Sequence, residues 1–93
     1  MIRRTVRVNV YGRVQGVYFR YHTKLTADGL GLSGWVRNRA DGSVEAHISG
    51  NTDNVEAMID WLQHGPDSAS VLKVQITELE DKALLDNEFL IRY

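Results

Sequence analysis

Residues 12–20, with the sequence GRVQGVYFR, could bind an anion. Gly12 and Gly16 can adopt backbone angles closed to other residues, so the chain can curl and direct successive N–H groups toward one point. The segment lacks proline, so each of its residues offers a backbone N–H. Arg20 adds a planar guanidinium that matches two phosphate oxygens. The same spacing fits a tight strand-to-helix connection whose arginine only caps a neighbouring element, and the spacing alone favours neither interpretation.

Asn38 is the second residue suited to chemistry, and it lies in the segment 34–45, GWVRNRADGSVE. Strand alternation places Val36 and Asn38 on one face of the strand, with Trp35 and Arg37 on the other. If Val36 faces the core, Asn38 is an inward-pointing amide that needs a hydrogen-bonding partner. An asparagine bonded to the backbone of the adjacent turn is frequent at strand ends, and the pattern alone favours that structural role.

Other kinds of catalytic site find little support in the sequence. The chain has no cysteine, which excludes disulfides, thiolate zinc sites and a cysteine nucleophile. His22, His47 and His64 lack zinc-ligand spacing, and no Ser-His-Asp triad can be assembled around His47. The carboxylates of the second half are typical of a solvated surface. We therefore expect neither a metal nor a cofactor.

The charges are divided unevenly along a chain whose net charge is -1. Residues 1–39 carry eight Lys and Arg side chains against one carboxylate, whereas residues 40–93 carry three against eleven. Such asymmetry indicates either an anionic partner for the basic part or ion pairs between the two parts across the fold. The basic N-terminus lacks the apolar run of a signal peptide, and no segment is long enough to cross a membrane. The sequence therefore predicts a cytoplasmic protein.

The hydrophobic pattern predicts strands and helices in the order β-α-β-β-α-β, followed by a short strand. The first strand alternates at Val6, Val8 and Val10, and the first helix is expected from Tyr21 to about Leu30. The turn signal Asp41-Gly42 separates the second and third strands. A second helix is expected to begin with a capping box at Asp53 and Glu56, to bury Val55, Met58, Ile59 and Leu62, and to end at Gly65-Pro66.

Two strands complete the pattern. The first runs through Leu72, Val74 and Ile76, and the last alternates at Phe89, Ile91 and Tyr93, with a polar patch over 81–88 between them.

This order predicts an α+β fold with one domain over residues 1–93, a ferredoxin-like α/β sandwich. Two helices would cover one face of an antiparallel sheet. RNA-recognition domains share the order, but the expected third strand, SVEAHIS, lacks the aromatic residues that stack bases. We therefore expect no nucleic-acid partner. Because this architecture serves many functions, the site must decide which one applies here.

The segments GRVQGVYFR and GWVRNRADGSVEAHISG closely resemble the two signatures of the acylphosphatases. The similarity spans nearly the whole chain, and it includes the element order and the FLIRY end. The resemblance implies the α/β sandwich and hydrolysis of the carboxyl–phosphate bond of acyl phosphates, without metal or cofactor. Acylphosphatase-like domains also occur within larger carbamoyl-transfer proteins, but the length of this chain favours a free-standing enzyme.

The resemblance also assigns roles to residues of the two segments. Arg20 would bind the phosphate together with a cradle of backbone N–H groups, and Asn38 would hold the attacking water. The cradle residues are Gln15, Gly16, Val17, Tyr18, Phe19 and Arg20. We expect a monomer whose partner is a small acyl phosphate, with no membrane association. No residue stands out as one that reads the acyl part of the substrate.

Overall fold

The computed structural model describes residues 2–80 and 88–93 of the 93-residue chain. Of the polar patch expected over 81–88, residues 81–87 lie outside the described part. The elements follow in the order β1 (Arg3–Arg13), α1 (Phe19–Gly29), β2 (Ser33–Asn38), β3 (Val44–Asn51), α2 (Thr52–His64), β4 (Ser70–Leu79) and β5 (Phe89–Arg92). The predicted order and α+β fold class are confirmed.

The five strands form one sheet in the order β4-β1-β3-β2-β5. β1 pairs antiparallel with both β3 and β4, and β2 pairs antiparallel with β3. β5 lies parallel to β2, with Arg37 opposite Arg92, so the complete sheet is mixed. This parallel edge was not part of the sequence-based prediction, and it brings the end of the chain beside Asn38.

The core lies between the helices and one face of the sheet. Alternation in β1 places Val6, Val8 and Val10 in this core, as predicted, and each of them is fully buried. The apolar face of α2 is buried in the same core, which confirms its predicted helical spacing. That face consists of Val55, Met58, Ile59 and Leu62.

Two predicted helix starts are wrong. α1 begins at Phe19, not Tyr21, because Tyr18 adopts a left-handed conformation (φ 60°) that turns the chain directly into the helix. The capping box at Asp53 and Glu56 is absent, since the cap of α2 is Asn51, whose Oδ1 accepts from the Asp53 N–H at 3.0 Å. Sequence reasoning placed the cap two residues late because Asn51 also ends β3.

Pairing between the basic and acidic parts, one of the two alternatives that the charge asymmetry left open, occurs at several positions. Arg4 of β1 pairs with Glu78 of β4 and lies 3.9 Å from Glu56 of α2. Arg37 of β2 pairs with the buried Glu45 of β3, at 2.7 Å. Ion pairing across the fold thus accounts for part of the charge asymmetry. Among residues 2–80 and 88–93, however, Arg20 forms no ion pair.

Candidate active site

The loop between β1 and α1 has backbone N–H groups that form no backbone hydrogen bond with the described residues. No N–H from Gln15 to Tyr18 donates to a backbone carbonyl in the described part of the chain. The first N–H groups of α1 have no intrahelical acceptor either, because the helix begins at Phe19. Gly16, at φ 76°, supplies a backbone angle that other residues avoid, and a Cβ there would face open space. The loop therefore has the donors that an anion requires.

The alternation of the loop side chains holds this backbone in place. Val14, Val17 and Phe19 are buried, whereas Gly16 and Tyr18 are exposed. Phe19 packs against Trp61 of α2, with 5.8 Å between the ring centroids. Three apolar side chains thus fix the loop on the core and leave its other side open.

Two side-chain hydrogen bonds join this loop to distant parts of the chain. Gln15 Nε2 donates to the carbonyls of Arg39, at 2.7 Å, and Ser43, at 2.9 Å, in the connection between β2 and β3. Ser68 Oγ donates to the Val17 carbonyl at 2.8 Å. Sequence reasoning assigned only the backbone of Gln15 to the site and missed both side chains. Their partners lie more than 20 residues away, so no local pattern reveals them.

Arg20 lies in the first turn of α1 and faces the edge strand β5. Its Nη1 donates to the Arg92 carbonyl at 3.1 Å, and its guanidinium carbon lies 4.7 Å from the centre of the Tyr93 ring. One turn later, Lys24 donates to the Phe89 carbonyl at 2.7 Å, so α1 is tied to β5 at two points. The guanidinium is thereby oriented by neutral groups, and it has no carboxylate partner among the described residues.

Asn38 ends β2 on the same face as the buried Val36, as the alternation predicts. In the described part of the chain, its half-buried side chain makes no hydrogen bond with the turn that follows. That turn is closed by Asp41, whose Oδ1 accepts from the Ser43 N–H at 2.9 Å. The Ser43 side chain and N–H, both donating to Asp41, lower the pKa of this carboxyl. The amide of Asn38 is therefore available to a ligand.

One pocket of about 430 Å³ brings the two segments together. Gly16, Tyr18 and Arg20 line it from the loop and α1, and Asn38 lines it from β2. Among the described residues that line this pocket there is no Asp, Glu or His side chain, and the one charged side chain is that of Arg20. In residues 2–80 and 88–93, no three His, Cys, Asp or Glu side chains lie close enough together to hold a metal ion. The arrangement suits a small anion that meets N–H donors, a guanidinium and an amide.

Comparison with known proteins identifies the family. A family model described as Acylphosphatase matches residues 6–91. The chain belongs to the acylphosphatase family. An acylphosphatase of Mesorhizobium japonicum is 53% identical over 78 residues, which cover 84% of this chain and 83% of that protein. One of Thermococcus kodakarensis is 45% identical over 84 residues, covering 90% and 92% respectively.

A solved structure agrees with this membership. The crystal structure of an acylphosphatase from Bacillus subtilis superimposes with a TM-score of 0.91 at 34% identity, over 97% of this chain and 99% of that one. The chain is therefore an enzyme of the acylphosphatase type, which hydrolyses acyl phosphates, and the predicted family is confirmed. None of the helices in the described part of the chain is long and apolar enough to span a membrane.

Proposed function

We propose that the backbone N–H groups of residues 15–20 and the guanidinium of Arg20 bind the phosphate of an acyl phosphate, and that Asn38 holds the attacking water. The observation that carries this proposal is the shared pocket, in which Arg20 and Asn38 meet the loop that precedes α1. Within residues 2–80 and 88–93, the loop N–H groups have no backbone acceptor, Arg20 has no carboxylate partner and the Asn38 side chain has no hydrogen bond. A phosphate offers acceptors to all of these donors at once. Asn38 can both accept from and donate to a water molecule.

The reaction requires little more than positioning and charge stabilisation. Water attacks the phosphorus while the bond from phosphorus to the carboxyl oxygen breaks, and the carboxylate leaves with the bonding electrons. Because a carboxylate is a good leaving group, strong acid catalysis is unnecessary. The N–H donors and Arg20 stabilise the charge on the equatorial oxygens during in-line transfer. A carboxylate in place of Asn38 would repel the anionic substrate.

We further propose that a phosphate oxygen of the substrate accepts the proton of the water and that no metal takes part. This is consistent with a lining that, in the described part of the chain, has no Asp, Glu or His side chain to act as a base. The rate should then lack a steep pH dependence that mutation of one side chain abolishes. A metal-independent reaction should also retain its full rate in EDTA.

The test is hydrolysis of benzoyl phosphate in EDTA by the wild type, Asn38→Ala and Arg20→Lys. Asn38→Ala should lower kcat by roughly 100-fold and leave the inhibition constant of inorganic phosphate nearly unchanged, because the amide positions water for the chemical step. Arg20→Lys keeps the charge but loses the fork, so phosphate affinity and rate should both fall by about 10- to 100-fold. Asn54→Ala, on the exposed side of α2, is the matched control.

Two outcomes would contradict the assigned roles. If Asn38→Ala lost phosphate affinity and kept its kcat, the amide would bind phosphate and would not position water. If the wild type lost its activity in EDTA and regained it with a divalent cation, the reaction would depend on metal.

A further inference from the structure

Exposed tyrosines line the proposed phosphate pocket, and we call them its aromatic rim. Three of the chain's four tyrosines, Tyr18, Tyr21 and Tyr93, line it together with Ile91. Their exposed fractions are 78%, 54% and 100%, so these rings contribute little to the core. An anion site needs N–H donors and cations but no aromatic rim, which indicates that the rim contacts a part of the substrate other than the phosphate.

Of these tyrosines, Tyr18 is the one best suited to contact the acyl part of the substrate. Its left-handed backbone (φ 60°, ψ 26°) is uncommon for a bulky residue and costs about 1–2 kcal/mol relative to a right-handed one. Packing of the ring offsets little of this cost, since the residue is 78% exposed and its ring makes no aromatic or cation–π contact with another described residue. Residues held in sparsely populated backbone conformations concentrate at functional sites.

The direction of the reaction separates Tyr18 from Tyr93. In-line attack places the water and the leaving acyl group on opposite sides of the phosphorus. Tyr93 follows Arg92, which pairs with Arg37, so Tyr93 lies next to Asn38, on the side assigned to the water. Its ring also already packs against Arg20. Tyr18 belongs to the cradle loop, and its ring is free to contact the acyl group.

We propose that the ring of Tyr18 forms an acyl subsite that favours aryl and other apolar acyl phosphates over acetyl phosphate. This inference rests on the phosphate site proposed above and adds a substrate class to it. A planar aryl group can stack on the phenol ring, whereas a methyl group covers only a small part of it. The Tyr18 ring should therefore contribute to the difference in affinity between acyl groups, whereas the backbone N–H groups and Arg20 bind the phosphate.

A binding measurement tests the subsite without requiring turnover. Benzylphosphonate and methylphosphonate carry the same anionic head and differ in the ring. By calorimetry, the wild type should bind benzylphosphonate about three- to tenfold more tightly than methylphosphonate, the factor expected for one aromatic contact. Tyr18→Asn, in which the new residue tolerates the left-handed backbone and the cradle N–H is kept, should bring this ratio close to one. Tyr18→Phe should preserve the ratio.

The matched control is Leu72→Asn, which removes a side chain of nearly equal exposure (81%) outside the pocket. It should leave the ratio unchanged. A ratio that Tyr18→Asn does not alter would overturn the acyl subsite. Equal weakening of both phosphonates in Tyr18→Asn would overturn it too, because the residue would then act by shaping the cradle.

Kinetics separate this inference from the proposed function. The ratio of kcat/KM for benzoyl and acetyl phosphate, compared between the wild type and Tyr18→Asn, cancels the intrinsic reactivity of each substrate. A three- to tenfold fall in that ratio supports the subsite. An unchanged ratio with undiminished turnover would refute the subsite alone. If both phosphonates bind with the expected ratio but neither acyl phosphate is hydrolysed, the proposed function fails and the subsite stands.

Discussion

Gln15→Leu should loosen the connection between the proposed phosphate cradle, residues 15–20, and the strand that carries Asn38. The substitution removes the hydrogen bonds from Gln15 Nε2 to the carbonyls of Arg39 and Ser43. Both carbonyls keep a backbone partner, since Gly42 N–H donates to Arg39 O and Arg39 N–H donates to Ser43 O. No carbonyl is left without a partner, so the loss is the net value of two hydrogen bonds, about 2 kcal/mol of unfolding free energy.

Gln15→Leu should also weaken the binding of phosphate. If the loop binds phosphate as proposed, a looser loop must become ordered on binding. Ordering one residue costs about 1 kcal/mol, which corresponds to a roughly fivefold rise in the inhibition constant of phosphate. Urea denaturation measures the stability, and competitive inhibition measures the affinity. Gln75→Leu is the matched control, because the exposed Gln75 side chain has one hydrogen bond among the described residues, which it accepts from the Tyr11 hydroxyl at 3.2 Å.

A second variant at the same position adds a pH signature. Gln15→Glu would direct a carboxylate at two carbonyl oxygens, which raises the pKa of that carboxyl in the folded state. Its protonated form can still donate one hydrogen bond. The stability of this variant should therefore be highest below the unfolded pKa of about 4.3 and be lost as the pH rises toward the folded pKa. If Gln15→Leu lost no more stability than Gln75→Leu, the reasoning would be refuted.

Two further predictions concern the sheet. Burial lowers the pKa of His47, although Glu45 beside it acts in the opposite direction. The unfolded chain therefore binds the proton more tightly than the folded protein does. The free energy of unfolding should decline as the pH falls from about 7 toward 5. Urea titrations should show a weaker decline in His47→Gln, and an identical decline would contradict this assignment. Gly34→Ala should lower the free energy of unfolding by more than about 4 kcal/mol, because the added Cβ would lie 1.8 Å from the His47 carbonyl oxygen. Gly16→Ala, in the loop before α1, is the comparison and should lower the free energy of unfolding by only about 1–2 kcal/mol, because its backbone angle is strained but its Cβ meets open space. Equal losses in Gly34→Ala and Gly16→Ala would show that crowding at Gly34 is not the cause.

Sequence alone predicted the features that depend on neighbouring residues. Alternation in β1 and the helical spacing in α2 identify the buried faces, because side-chain direction repeats every two residues in a strand and every 3.6 in a helix. The two signature segments also indicated the family. The same alternation placed Asn38 on the face of Val36. The roles of Arg20 and Asn38 remain predictions, although both residues line one pocket.

Only the tertiary structure decided how the site is held together. The Arg92 carbonyl that receives Arg20 lies 72 residues further along the chain, and the partners of Gln15 lie 24 and 28 residues away. Sequence reasoning missed the Tyr18 conformation and the Asn51 cap because each depends on how the chain leaves one element and enters the next. Local periodicity carries no information about contacts at such separations. They form only when the sheet places β5 beside β2 and the β2–β3 connection beside the cradle loop.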